Sequence, residues 1–225
     1  MFAAPAQLGE GAAAILRLGV PIALILTAEA GLFALSALLM TQFGDATVAA
    51  YQVAINFASL AFMIPLGVAM ATTVRVGQAA GAGAGAAVRF RGLAGMGLGL
   101  GNAASNAFIM VVFGTTIAGF YTRDSGIAAQ AAHFLWLAAV FQFFDGLQVT
   151  ANGALRGIKD TRVPMLITLM AYWLCGMPVA WWLAFRAGFG PDGLWWGFTV
   201  GLGAAALGLS ARFLRSAGKR SELMA

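Results

Sequence analysis

Phe141-Gln-Phe-Phe-Asp145-Gly-Leu-Gln148-Val-Thr-Ala-Asn152-Gly-Ala-Leu-Arg156-Gly-Ile-Lys159-Asp-Thr-Arg162 is an apolar stretch that carries one carboxylate and closes in a basic turn. Gln142, Asp145, Gln148 and Asn152 recur three, three and four residues apart, the spacing of one helix face. A polar stripe on so greasy a helix has two physical explanations: a hydrogen-bonded seam with another helix, or a water-filled path that handles ions. The acid favours the path, because ionisable side chains inside membrane helices are costly and mark function.

The surrounding composition places that helix in a membrane. Of 225 residues, 61% are hydrophobic and 9% charged, with a mean hydropathy of +0.86. A water-soluble domain carries about a quarter charged residues, so this chain lacks the polar surface to face water. The net charge of +5 is accordingly no sign of nucleic-acid binding and belongs in the loops at one membrane face. One cysteine, Cys175, excludes an internal disulfide and a cysteine metal site. One histidine, His133, cannot supply paired axial ligands to a transmembrane haem. No cofactor is expected, and the first twenty residues lack the pattern of a cleaved signal.

Working outward in both directions, six apolar segments can cross a bilayer, which takes about twenty helical residues. They cover residues 18–42, 46–74, 92–113, 127–155, 164–185 and 194–213, within a transmembrane unit of 18–215. Residues 1–17 form a lead-in and 216–225 a basic tail. The fold class is thus an all-α integral membrane protein, a six-helix bundle. The second segment carries Gln52, Asn56 and Ser59 on one face, and Pro65. The glycine- and alanine-rich stretch 76–87 reads as a connection. It lacks the Gly-Lys-Ser/Thr ending of a phosphate loop. Gly95, Gly97, Gly99 and Gly101 suggest a small-residue face for close helix approach, and Asp124 a cap for the fourth segment.

Alternating the segments across the bilayer puts Arg17, Arg75, Arg89, Arg91, Arg156, Lys159, Arg162, Arg212, Arg215, Lys219 and Arg220 on one face and leaves Arg123 and Arg186 on the other. Eleven against two predicts both termini in the cytoplasm of a cell-membrane protein. In that arrangement Glu29 of segment one lies roughly 16 Å deep and Asp145 of segment four roughly 14 Å deep, at 1.5 Å per residue. Each carboxylate, charged and unpaired, costs about 2.5–3.5 kcal/mol on insertion scales. With no basic residue in mid-helix, four resolutions stand open: protonation, a bound metal cation, water, or a cationic ligand. Glu29 and Asp145 are the candidate cation-coupling pair, for sodium or a proton. Gln52, Asn56, Gln142, Gln148, Asn152 and Tyr172 are candidates to line the cavity around them.

Several stretches together resemble a known family. They are Leu18-Gly-Val-Pro-Ile-Ala with Glu29 in the same helix, Ala49-Ala-Tyr-Gln-Val-Ala-Ile-Asn56, Phe62-Met-Ile-Pro-Leu-Gly-Val-Ala and Val74-Arg-Val-Gly-Gln. Phe141 to Arg162, Tyr172-Trp173 with Gly176-Met-Pro178, and Gly193-Leu-Trp-Trp-Gly197 complete the set. In this order they are similar to the C-terminal half of the multidrug and toxic compound extrusion (MATE) transporters. The resemblance implies one six-helix lobe of a twelve-helix antiporter that exports organic cations or amphipathic drugs against sodium ions or protons. It also implies an N-terminal lobe or a second six-helix chain as partner, and a cation-site role for Glu29 and Asp145. Phe141 stands where some sodium-coupled members have a tyrosine.

Two other readings within the membrane class are a non-transporting half or assembly subunit, and a flippase for lipid-linked sugars. The flippase would call for a cationic cavity to hold pyrophosphate, where this chain has acids. An enzyme is not expected. A serine intramembrane protease needs a Gly-x-Ser-Gly nucleophile beside its histidine, and an aspartyl one needs two aspartates with Gly-x-Gly-Asp; neither pattern is present.

Overall fold

Helix follows helix throughout the computed structural model of the chain, which describes residues 5–222. The helices are α1 (Pro5–Met40), α2 (Asp45–Gly81), α3 (Gly85–Tyr121), α4 (Ser125–Gly157), α5 (Arg162–Leu169), α6 (Met177–Phe185) and α7 (Pro191–Glu222). A 3-10 turn, Thr41–Phe43, extends α1, and a π-helical stretch, Met170–Gly176, joins α5 to α6 into one span. Six spans result, each long and apolar enough to cross a membrane, with no strand among the described residues. This is a multi-pass, all-helical membrane protein.

The helices run further than the hydropathy pattern predicts. Most of the lead-in, from Pro5, continues α1, and α7 carries the tail to Glu222; residues 1–4 and 223–225 lie outside the described residues. The predicted connection 76–87 shrinks to residues 82–84. Its alanines favour helix, and Gly83, at φ 69°, turns the chain where a side chain would be strained. Asp124 caps α4 as its position suggests, with Oδ1 accepting from the N–H groups of Gly126 at 2.8 Å and Ile127 at 3.0 Å.

Helix α4 is the centre of the bundle, packed on α2, α3 and α7. The contacts are close because small residues meet there. A Cβ placed on Gly99 would lie 2.8 Å from the carbonyl oxygen of Gly146, and one on Gly153 2.5 Å from that of Ala69. Thr73 Oγ1 donates to the Gly153 carbonyl across the α2–α4 contact at 2.8 Å. Of the four alternate glycines in α3, Gly95 and Gly99 face neighbours and Gly97 and Gly101 face open space. A helix turns about 100° per residue, so residues two apart cannot share a face.

The π-helical stretch places its span against α7 through a ladder of small residues. Gly176 meets Gly201, Ala180 meets Gly197, and Ala184 meets Gly193. The steps are four residues on each antiparallel strand of the ladder, the repeat of a small-residue helix interface. Pro178 lacks the N–H that an unbroken α-helix would use at that point, and the wider turn immediately before it keeps the span continuous rather than interrupted.

Candidate functional site

The residues of the opening stretch supply the floor of a cavity of about 150 Å³ between α1, α2 and α4. Its walls are Glu29 and Phe33 of α1, Ile55, Ala58, Ser59, Phe62 and Met63 of α2, and Phe141 and Asp145 of α4. The two acids predicted to share a depth therefore face one space. Asp145 is 4% exposed and Glu29 half-buried. They interact electrostatically with each other, in walls that are otherwise almost wholly apolar.

Aromatic rings close this site on the side of the α6–α7 turn. Phe33 meets Phe141 edge-on with centroids 6.1 Å apart and Phe198 at 5.5 Å. Trp195, fully buried, touches Tyr51, Phe134, Phe141 and Phe198. Such a block of interlocked rings excludes water from that half of the bundle. No polar periodicity marked Trp195 beforehand. The signal that could have found it is the pair of glycines, Gly193 and Gly197, that bring α7 close enough to bury so large a side chain.

Behind Asp145 the polar stripe of α4 points inward. Gln142 Nε2 donates to the Ala58 carbonyl at 3.4 Å, a long bond on the cavity's α2 wall. Gln148 and Asn152 are buried, and Asp145 Oδ1, Gln148 Oε1, Asn152 Oδ1 and the Tyr172 hydroxyl lack a hydrogen-bond partner. Tyr172 comes from the π-helical stretch and interacts electrostatically with both acids. Buried polar atoms are nearly always satisfied, and each orphan costs about 1–3 kcal/mol. Of these, Asp145 Oδ1 belongs to a wall of the cavity and the Tyr172 hydroxyl interacts with both acids, and oxygen donors of this kind suit a hard cation or its hydration water.

None of the six predicted lining residues is among the walls of this cavity: Gln142, Gln148, Asn152 and Tyr172 are buried in the bundle, with Gln142 bonded to the wall residue Ala58, and the other two sit elsewhere. Gln52 and Asn56 are exposed on α2, outside the walls of this cavity, and Asn56 Oδ1 accepts from the Tyr121 hydroxyl at 2.8 Å. Ser59, the third residue of that face, does reach the cavity. No basic residue lies in mid-helix, as expected, yet one at a helix end acts on one of the acids. Arg156, predicted as part of a basic turn, has its Nε buried without a partner, and its charge acts on Glu29. The two form no direct ion pair; those among the described residues are His133–Asp192 at 2.7 Å and Arg212–Asp160 at 2.8 Å. His133 is exposed, twelve residues before Asp145 on α4, and its partner is Asp192 at the start of α7.

Comparison with known proteins gives the geometry its setting. The MatE family's sequence profile matches residues 21–182. A relative named "Probable multidrug resistance protein NorM" from Xanthomonas campestris pv. campestris is 46% identical over 199 residues, 88% of this chain and 43% of the relative. Another of that name, from Deinococcus radiodurans, is 46% identical over 212 residues, 92% of this chain and 47% of its own length. A solved structure, "Crystal structure of MATE in the bent conformation", superposes on all of the chain with a TM-score of 0.86 at 19% identity, over 49% of that structure. The chain thus spans a little under half the length of the relatives it matches.

Proposed function

This chain belongs to the MatE family, and on that premise we propose that it is one lobe of a cation-coupled multidrug antiporter. The coupling ion, sodium or a proton, binds at Glu29 and Asp145. The unpartnered Tyr172 hydroxyl, which interacts electrostatically with both acids, would complete its surroundings. The observation that carries this reading is the convergence of two carboxylates from α1 and α4 on one small, otherwise apolar cavity.

Size assigns the two ligands to different places. Drug-sized ligands occupy pockets of about 300–1,000 Å³, and this cavity holds about 150 Å³. It takes an ion. The amphipathic or cationic drug then sits where a second lobe faces α2, whose exposed Gln52 and Asn56 suit a wet cleft better than lipid. Charge exchange links the two: a cation or proton at the acids neutralises them, and its departure restores the negative charge that draws in a cationic substrate. Rocking of the lobes about the membrane midplane alternates the exposure of both sites.

The test is efflux of a cationic dye from cells making this chain together with an N-terminal lobe. Efflux should vanish in Asp145→Asn and Glu29→Gln with the protein still present at normal levels. Undiminished efflux in either variant sinks the assignment. Replacing sodium with another monovalent ion at fixed pH separates the coupling ions, since only a sodium-coupled exporter stops.

A further inference from the structure

A second concavity lies on the outer surface of α2 and α3, and nothing in the ion site uses it. Its volume is about 230 Å³, and Val68, Ala71, Ala94 and Leu98 form its apolar length, with Phe90 beside them. Arg75 and Arg91 stand at one end. Gly95 makes the floor: it packs against Thr72, and any side chain there would collide with that threonine and reshape the groove. The two arginines are tied together, since Arg91 Nη1 donates to the Arg75 carbonyl at 2.8 Å. Neither guanidinium has a carboxylate partner among the described residues.

Depth along the helices orders these parts as a lipid molecule orders its own. Arg75 lies six residues before the end of α2 and Arg91 six residues after the start of α3, so both are roughly 9 Å from the turn. Leu98 and Val68 lie thirteen residues from it, roughly 20 Å deep. The groove runs from paired cations near the interface to an apolar end within the hydrocarbon. Phe90, at 73% exposed, and Leu98, at 64%, line it without any protein cover.

We propose that this groove binds an anionic phospholipid, with the phosphate on Arg75 and Arg91 and one acyl chain along Val68, Ala94 and Leu98. Guanidinium groups suit phosphate because they donate two parallel hydrogen bonds from a fixed fork. Basic pockets between transmembrane helices at the positively charged membrane face are where anionic headgroups are held. A soluble phosphate ion would use only the arginines and would gain nothing from the apolar length. The groove is also clear of the polar face of α2. At 100° per residue, its centre is roughly 150° around the helix from Gln52, Asn56 and Ser59. A lobe packed on that polar face leaves the groove open to lipid.

Native mass measurement of the detergent-solubilised chain, titrated with phosphatidylglycerol or with phosphatidylcholine of the same acyl chains, tests this. Phosphatidylglycerol should be retained at least tenfold more tightly. The preference should disappear in Arg75→Gln/Arg91→Gln and survive in Arg75→Lys/Arg91→Lys. Ala94→Trp, which fills the groove and spares the arginines, should weaken both lipids. Millimolar inorganic phosphate should not displace bound phosphatidylglycerol. Equal retention of the two lipids, displacement by inorganic phosphate, or an unchanged preference in the glutamine double variant would each overturn the assignment. Dye efflux is not the readout, so failure here leaves the ion-site reading untouched, and the reverse.

Discussion

At the scale of single residues, Arg156 and Asp145 pull the proposed ion site in opposite directions. Asp145 offers a carboxylate oxygen with no protein partner, a favourable position for a cation. Arg156 acts electrostatically on Glu29 and therefore competes with any cation that Glu29 helps to bind. Arg156 follows Asp145 by eleven residues on α4, roughly 16 Å along the helix, where at an effective dielectric near 20 two like charges repel by about 1 kcal/mol, equivalent to roughly fivefold in affinity. Arg156→Gln should accordingly tighten sodium binding, read as a thermal shift in sodium chloride against choline chloride, while Asp145→Asn should abolish that shift. At a hundredfold excess over its dissociation constant a bound ion adds about 2.7 kcal/mol of stability, which such a measurement resolves. A weaker sodium response in Arg156→Gln would show that the arginine orders the site instead of opposing it.

At the scale of helices, α3 makes a paired prediction from residues two apart. Gly97 meets nothing within 4 Å, and a Cβ on Gly99 meets Thr150 and the Gly146 carbonyl under 3.0 Å. Gly97→Ala should be neutral or stabilise by up to about 1 kcal/mol through its better helix propensity. Gly99→Ala should destabilise by about 1–3 kcal/mol, because α3 and α4 must separate to admit the methyl group. Unfolding in mixed detergent compares the two directly; equal effects would mean that the α3–α4 crossing is looser than these distances imply. The α5–α6 span follows the same logic. Its π-helical turn carries Tyr172 inward and seats Gly176 on Gly201, so a residue of the proposed ion site and an interface residue depend on one irregular turn.

At the scale of the molecule, the Lys and Arg count predicts a cytoplasmic end that holds the turns at 82–84 and 158–161, opposite Arg123 and Arg186. A reporter fused after Ala225 that is active only in the cytoplasm should be active, and one inserted beside Arg123 should be silent, because membrane orientation follows the excess of Lys and Arg. The reverse pattern would invert the path proposed for the drug. The large exposed apolar surface, including Leu60, Met63 and Ile64 on α2, is ordinary for a chain solvated by lipid. The exposed polar pair Gln52 and Asn56 is not, and it suits the face proposed for the second lobe.

Much of this was legible from the order of residues. Six spans follow from runs of apolar residues long enough to cross hydrocarbon, and the shared depth of Glu29 and Asp145 follows from counting at a fixed helical rise. The Asp124 cap follows from local hydrogen-bonding chemistry. These are one-dimensional properties, set by period, length and polarity. Rotation of one helix against another is not among them. Only the packed bundle decided that Gly99 and Gly95 make contacts while Gly97 does not, and that Gln148 and Asn152 turn inward while Gln52 and Asn56 turn out. It alone brought Arg156 to bear on Glu29 from 127 positions away in the chain. Those outcomes depend on which surfaces fit closely enough to exclude lipid, a condition between distant segments that no local spacing encodes.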